Sequence, residues 1–120
     1  MGPLELVKLT PLMQRTSGRT EIRIGLIDGP VALDNSDLAG QNIQEVTSKS
    51  VASCSRLNSA ACIHGTFVAG MLCARRGSAA PAICPGCTLL VRPIFSEITS
   101  TSGDMPSARP EELADRKSVV

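Results

Sequence analysis

Residues 22–29 read Ile22-Arg23-Ile24-Gly25-Leu26-Ile27-Asp28-Gly29. Residues 21–28 are a short β-branched run, apolar at nearly every position except Arg23, the pattern of a strand buried on both faces of a parallel sheet. Gly29-Pro30 ends it. Working outward, residues 87–95 form a second strand around Thr88-Leu89-Leu90-Val91, and residues 42–46 predict a short third one. Between them, from His64 onward, Phe67, Val68, Met71, Leu72 and Cys73 recur at helical spacing. Arg75 and Arg76 are expected in the last turn of that helix, with Gly77 as its stop. Pro110-Glu111-Glu112-Leu113-Ala114 reads as a further helix start, with proline first and acids in the first turn, although Arg109 occupies the capping position. Strand, helix, strand and helix in this order predict an α/β fold: a parallel sheet flanked by helices and joined by right-handed crossovers.

The amino-terminal residues stand apart. Leu4, Leu6, Val7, Leu9, Leu12 and Met13 give a loosely helical pattern that Pro11 breaks, and a polar connector, Arg15-Thr16-Ser17-Gly18-Arg19, follows. Residues 1–19 are therefore expected to be an N-terminal segment and residues 20–120 a single domain. The stretch from Gly29 to about residue 60 is rich in Ser, Asn, Ala and Asp, and a length of that kind inside a compact domain often carries function.

Composition narrows the function classes. Hydrophobic residues make up 42% of the 120, but the aromatics are only Phe67 and Phe95, so the core must be aliphatic. A formal net charge of +1 offers no footprint for nucleic acid or an anionic membrane, so neither is expected as a partner. No apolar run has the length of a membrane span, and the first residues lack the layout of a signal peptide. The expected location is cytoplasmic. Cys54, Cys62, Cys73, Cys84 and Cys87 are an odd set, which excludes a complete disulfide framework within one chain. Cys84-Pro85-Gly86-Cys87 has the spacing of half a zinc site but no matching pair, so the thiols are expected to be reduced, mostly buried and metal-free.

The candidate chemistry rests on Asp28 and His64. His64, the only histidine, lies in Ala61-Cys62-Ile63-His64-Gly65-Thr66-Phe67-Val68-Ala69-Gly70. A hydroxyl nucleophile needs a base to take its proton and a carboxylate to fix that base's tautomer. An aspartate ending a buried strand and a histidine in the first turn of a helix are both rigidly held, and catalytic groups of parallel sheets gather at the carboxyl ends of strands. Gly65 lets substrate or neighbouring backbone approach closely. The plainer alternatives are a structural histidine and an aspartate that forms a turn.

Ile24-Gly25-Leu26-Ile27-Asp28-Gly29 with Asp37-Leu38 downstream, His64-Gly65-Thr66-Phe67-Val68-Ala69-Gly70, and Cys84-Pro85-Gly86-Cys87-Thr88-Leu89-Leu90-Val91 together resemble subtilisin-like serine peptidases over roughly residues 20–95. The Asp-then-His order is that of subtilisin. Gly25-Leu26-Ile27-Asp28-Gly29-Pro30-Val31 and Ala74-Arg75-Arg76-Gly77 are most similar to the subtilases of cyanobactin-type peptide maturation. The resemblance implies a serine endopeptidase with Asp28 as the triad aspartate, His64 as the general base, and a peptide or protein as substrate. It implies no cofactor. Asp37 resembles a calcium-binding carboxylate of many subtilases, but the partner loop here, Arg75-Arg76-Gly77-Ser78-Ala79-Ala80-Pro81, carries two cations and few oxygen side chains, so no metal is expected. Ser96 and Glu97 are expected to border an extended peptide.

Two departures from the family pattern stand out. Gly29-Pro30 replaces the Ser or Thr that usually follows the aspartate. The Gly-Thr-Ser nucleophile motif and the oxyanion-hole asparagine are missing, and Ser96, Ser100, Ser102, Ser107 and Ser118 have no such context. The chain thus reads as the amino-terminal part of an incomplete subtilisin-like domain lacking its nucleophile half, inactive alone unless a complementary chain supplies the serine. The alternatives are a non-catalytic peptide-binding or accessory module, and a gene fragment without function.

Overall fold

In a computed structural model, which describes residues 2–46, 54–55, 57–95, 97 and 108–114, the chain runs α1 (Pro3–Leu6), α2 (Thr10–Arg15), β1 (Arg23–Asp28), β2 (Ile43–Glu45), α3 (Ala60–Cys73), β3 (Thr88–Pro93) and α4 (Pro110–Ala114). The three strands form one sheet in the order β1-β3-β2, and both pairings are parallel. Arg23 pairs with Thr88 and Asp28 with Pro93, while Ile43 pairs with Leu89. This is the expected α/β arrangement, with α3 in the crossover between β1 and its partner β3.

β3 is buried at every position, as a central strand between two parallel neighbours should be. β1 is not. Only Leu26 is fully buried, while Arg23, Gly25 and Ile27 are exposed, so the strand alternates instead of being covered on both faces. The reason is its position at the edge of the described sheet. Ile24 and Leu26 turn toward the core with Leu89 and Val91 from β3; Val31, Leu38, Ala69, Cys73, Ala74 and Ala82 complete it. Burying Leu89 and Val91 contributes about 1.5–3 kcal/mol each.

α3 starts earlier and ends earlier than its sequence suggests. Ser59 caps it by accepting from the Cys62 N–H at 3.2 Å, which puts His64 in the second turn and not the first. The helix stops at Cys73, so Arg75 and Arg76 lie beyond it in the following turn. Its sheet-facing side is made of small residues, Ala61, Cys62, Gly65, Ala69, Gly70 and Cys73, whereas Phe67 and Ile63 are exposed. Periodicity could not separate the two faces because both are apolar.

Pro11 does not break a helix; it sits in the first turn of α2, where a missing N–H costs nothing. Arg76 then ties this segment down. Its Nε donates to the Ala82 carbonyl at 3.0 Å, and its Nη atoms donate to Met13, Thr16 and Ile83 carbonyls at 2.6, 3.0 and 2.9 Å.

Candidate active site

Asp28 closes β1, and its backbone carbonyl accepts from the Ile94 N–H at 2.8 Å. The side-chain Oδ1 accepts from the Gly29 N–H at 2.6 Å and from His64 Nδ1 at 2.9 Å. The carboxylate is therefore fixed by its own strand end before the imidazole reaches it. The Asp28 side chain is 13% exposed and that of His64 55%, so the acid is sheltered while the base faces outward. With Nδ1 spent on Asp28, Nε2 is the nitrogen left to meet a reacting proton.

Two glycines bring these side chains together. A Cβ on Gly29 would lie 2.2 Å from the Ala61 carbonyl oxygen, and one on Gly65 would lie 2.5 Å from the Gly29 and Pro30 carbonyl oxygens. The end of β1 and the helix thus touch backbone to backbone, closer than any side chain allows. Gly65 admits neighbouring backbone, not substrate. Gly29, which in sequence stands out only as a departure from the family pattern, is thus required by packing; an isolated glycine beside a candidate catalytic residue is the signal for such an approach.

The helix start is fastened from outside. Ser59 Oγ donates to Glu97 at 3.0 Å, and the same carboxylate accepts from the Ser55 hydroxyl and, at 3.1 Å, from the Ser55 N–H. Glu97 therefore secures the amino end of α3. Removing the cap by Ser59→Ala is expected to cost about 1–2 kcal/mol, read as a lower urea midpoint. Ser96, Ser100, Ser102, Ser107 and Ser118 lie outside the described residues.

The expectation of five reduced thiols fails. Cys54 and Cys62 form a disulfide with a Cα–Cα distance of 5.6 Å, because the chain before α3 folds back on its first turn. Such bonds persist in oxidising surroundings. Their sulfurs and a Glu97 oxygen lie within 4.8 Å of one another, but sulfurs bonded to each other are not thiolate ligands. Asp37 sits in a turn whose carbonyls hold Arg75: the Arg75 backbone N–H donates to the Asp37 carbonyl at 2.9 Å and its side-chain Nη2 to the Ser36 carbonyl at 3.0 Å. Among the described residues no helix is long and apolar enough to cross a membrane.

A carboxylate at the carboxyl end of a parallel strand, bonded to a histidine on the helix that crosses to the next strand, sits on a subtilisin-like α/β fold, and the chain resembles the subtilisin-like proteases of cyanobactin maturation. It is similar to the protease domain of PatA, with 28% identity and a TM-score of 0.62 over 69% of this chain and 30% of that one. It is similar also to the prenylagaramide maturation protease PagA, with 20% identity and a TM-score of 0.67 over 89% of this chain and 32% of that one. A third structure of the same fold is the PatG macrocyclase in complex with peptide, with 14% identity and a TM-score of 0.59 over 84% of this chain and 42% of that one. The chain thus spans about a third of the length of the first two. No protein-family model matches the sequence, and no curated protein matches it.

Proposed function

We propose that these residues are the amino-terminal part of a serine endopeptidase that cleaves peptide bonds with an Asp-His-Ser triad. Residues 20–120 form part of the peptidase domain, and residues 1–19 are a segment packed on it. The observation that carries the reading is the 2.9 Å contact of His64 Nδ1 with Asp28 Oδ1 at the carboxyl end of β1. A peptide substrate is supported by the peptide bound in one structure of the same fold.

In this reading a serine from outside the 120 residues, in a continuation of the chain or a complementary chain, attacks the peptide carbonyl. His64 Nε2 takes the serine proton and returns it to the leaving amine, while Asp28 holds the tautomer and stabilises the imidazolium. No cofactor or metal takes part. Without the serine and its oxyanion donors, Asp28 and His64 lack the groups that supply much of acyl-transfer catalysis.

The test is labelling by a serine-directed phosphonate probe. The 120-residue chain is expected to stay unlabelled and to leave peptides uncut. A polypeptide that also carries the nucleophile should be labelled, and His64→Ala should abolish that signal. Labelling of the 120-residue chain that disappears in its own His64→Ala variant would place a complete site within these residues and sink the reading.

A further inference from the structure

We propose that Cys84 and Cys87 are a disulfide-forming site that closes the turn leading into β3, oxidised by a small-molecule disulfide and leaving Cys73 as the one free thiol. The geometry comes first. Cys87 N–H donates to the Cys84 carbonyl at 3.0 Å, with Pro85 and Gly86 between them. The two cysteines are thus the ends of a β-turn, whose Cα atoms stand within about 7 Å, and disulfides span Cα distances of about 4.4–6.8 Å. Cys73, at the end of α3, adjoins the same turn through the Cys84 carbonyl. These three are the cysteines not already joined.

The surroundings favour a bond inside the turn. Ser17 and Gly18 lie across it: the Gly86 N–H donates to the Ser17 carbonyl at 2.6 Å, and a Cβ on Gly18 would fall 2.4 Å from Cys87 Sγ. Gly18, at φ +92°, gives Cys87 the room its sulfur occupies. Cys73 is held differently, since its thiol donates to the Cys84 carbonyl at 3.6 Å and the residue is fully buried. Burial, then the neighbouring Cys84, push the Cys73 thiol up to about 12. Burial also raises Cys84, with Cys87 adding to the effect and the Arg76 guanidinium opposing it. With its thiol raised, Cys84 is a poor leaving group, so its bond to Cys87 resists exchange once formed.

The reaction balances as two exchanges. The Cys84 thiolate, the more accessible of the pair, attacks one sulfur of the small-molecule disulfide, whose S–S bond breaks to release one thiolate. Cys87, deprotonated in turn, attacks the Cys84 sulfur of the mixed disulfide and expels the second. The two cysteine protons end on the two released thiolates. Two cysteine thiols are oxidised and one disulfide is reduced to two thiols.

The experiment incubates the folded chain with oxidised glutathione, alkylates it after denaturation, and digests it with trypsin without reduction. Cleavage after Arg75 and Arg76 separates Cys73 from Cys84 and Cys87. The peptide holding the last two should be unalkylated and lighter by about 2 Da than its dithiol form, with Cys73 alkylated. In Cys87→Ala a glutathione adduct should remain on Cys84. Alkylation of both Cys84 and Cys87, a link between the Cys73 and Cys84 peptides, or an unresolved adduct on the unmutated chain would each overturn the proposal.

Discussion

Gly65→Ala is expected to lower stability by about 2 kcal/mol or more, and to separate His64 from Asp28. An alanine in a helix interior normally gains up to about 1 kcal/mol over glycine. Here the added methyl would sit 2.5 Å from two backbone carbonyl oxygens that cannot rotate away. Relief requires α3 to move off the end of β1, and overpacking of that kind costs about 1–3 kcal/mol, occasionally more. Because Gly65 directly follows His64, the same shift lengthens the 2.9 Å contact. The comparison is Gly25→Ala, where a Cβ meets nothing within 4 Å, and the change should stay within about 0.5 kcal/mol. The chain has neither Trp nor Tyr, so urea unfolding is followed by far-ultraviolet circular dichroism. Equal midpoints for the two variants would show that the close approach is not a constraint.

Asp28→Asn, made in a polypeptide that includes the nucleophile, is expected to lower kcat by about 10⁴ with little change in KM. Asparagine preserves the shape, but its amide no longer selects the tautomer in which Nδ1 donates, and it cannot stabilise the imidazolium. His64→Ala should cost at least as much, and the double variant little more, because the two residues act as a unit. Peptide hydrolysis measured as kcat and KM separately decides it. A fall confined to KM would make Asp28 a residue that shapes the binding surface, not one that orients a base.

The sheet and the candidate pair were legible because each has a local cause. An apolar run ending in Asp28-Gly29-Pro30 is a strand end whatever surrounds it, and a lone histidine before Gly65 marks a crowded helix. What stayed hidden depends on neighbours distant in sequence. The exposure of Ile27 follows from the place of β1 at the sheet edge, which no periodicity in residues 21–28 encodes. The boundaries of α3 depend on a cap at Ser59 and on which of its two apolar faces meets the sheet. The hold of Glu97 on Ser55 and Ser59 joins residues 38 and 42 positions apart, which no local pattern marks. The Cys54–Cys62 bond was obscured by counting: an odd total forbids a full set of bridges, not a single one.

The order β1-β3-β2 also sets a timetable for synthesis. The central strand is the last of the three to be made, so Arg23 waits for Thr88, and Ile43 waits for Leu89. At roughly 5–20 residues per second, several seconds pass in which both outer strands have left the ribosome with no partner. Long-range parallel pairing of this kind is slow to form and open to aggregation until it does. The nascent chain therefore has a window of vulnerability that closes only when Thr88–Pro93 emerge, and a ribosome stalled before that point would hold β1 and β2 without the strand that joins them.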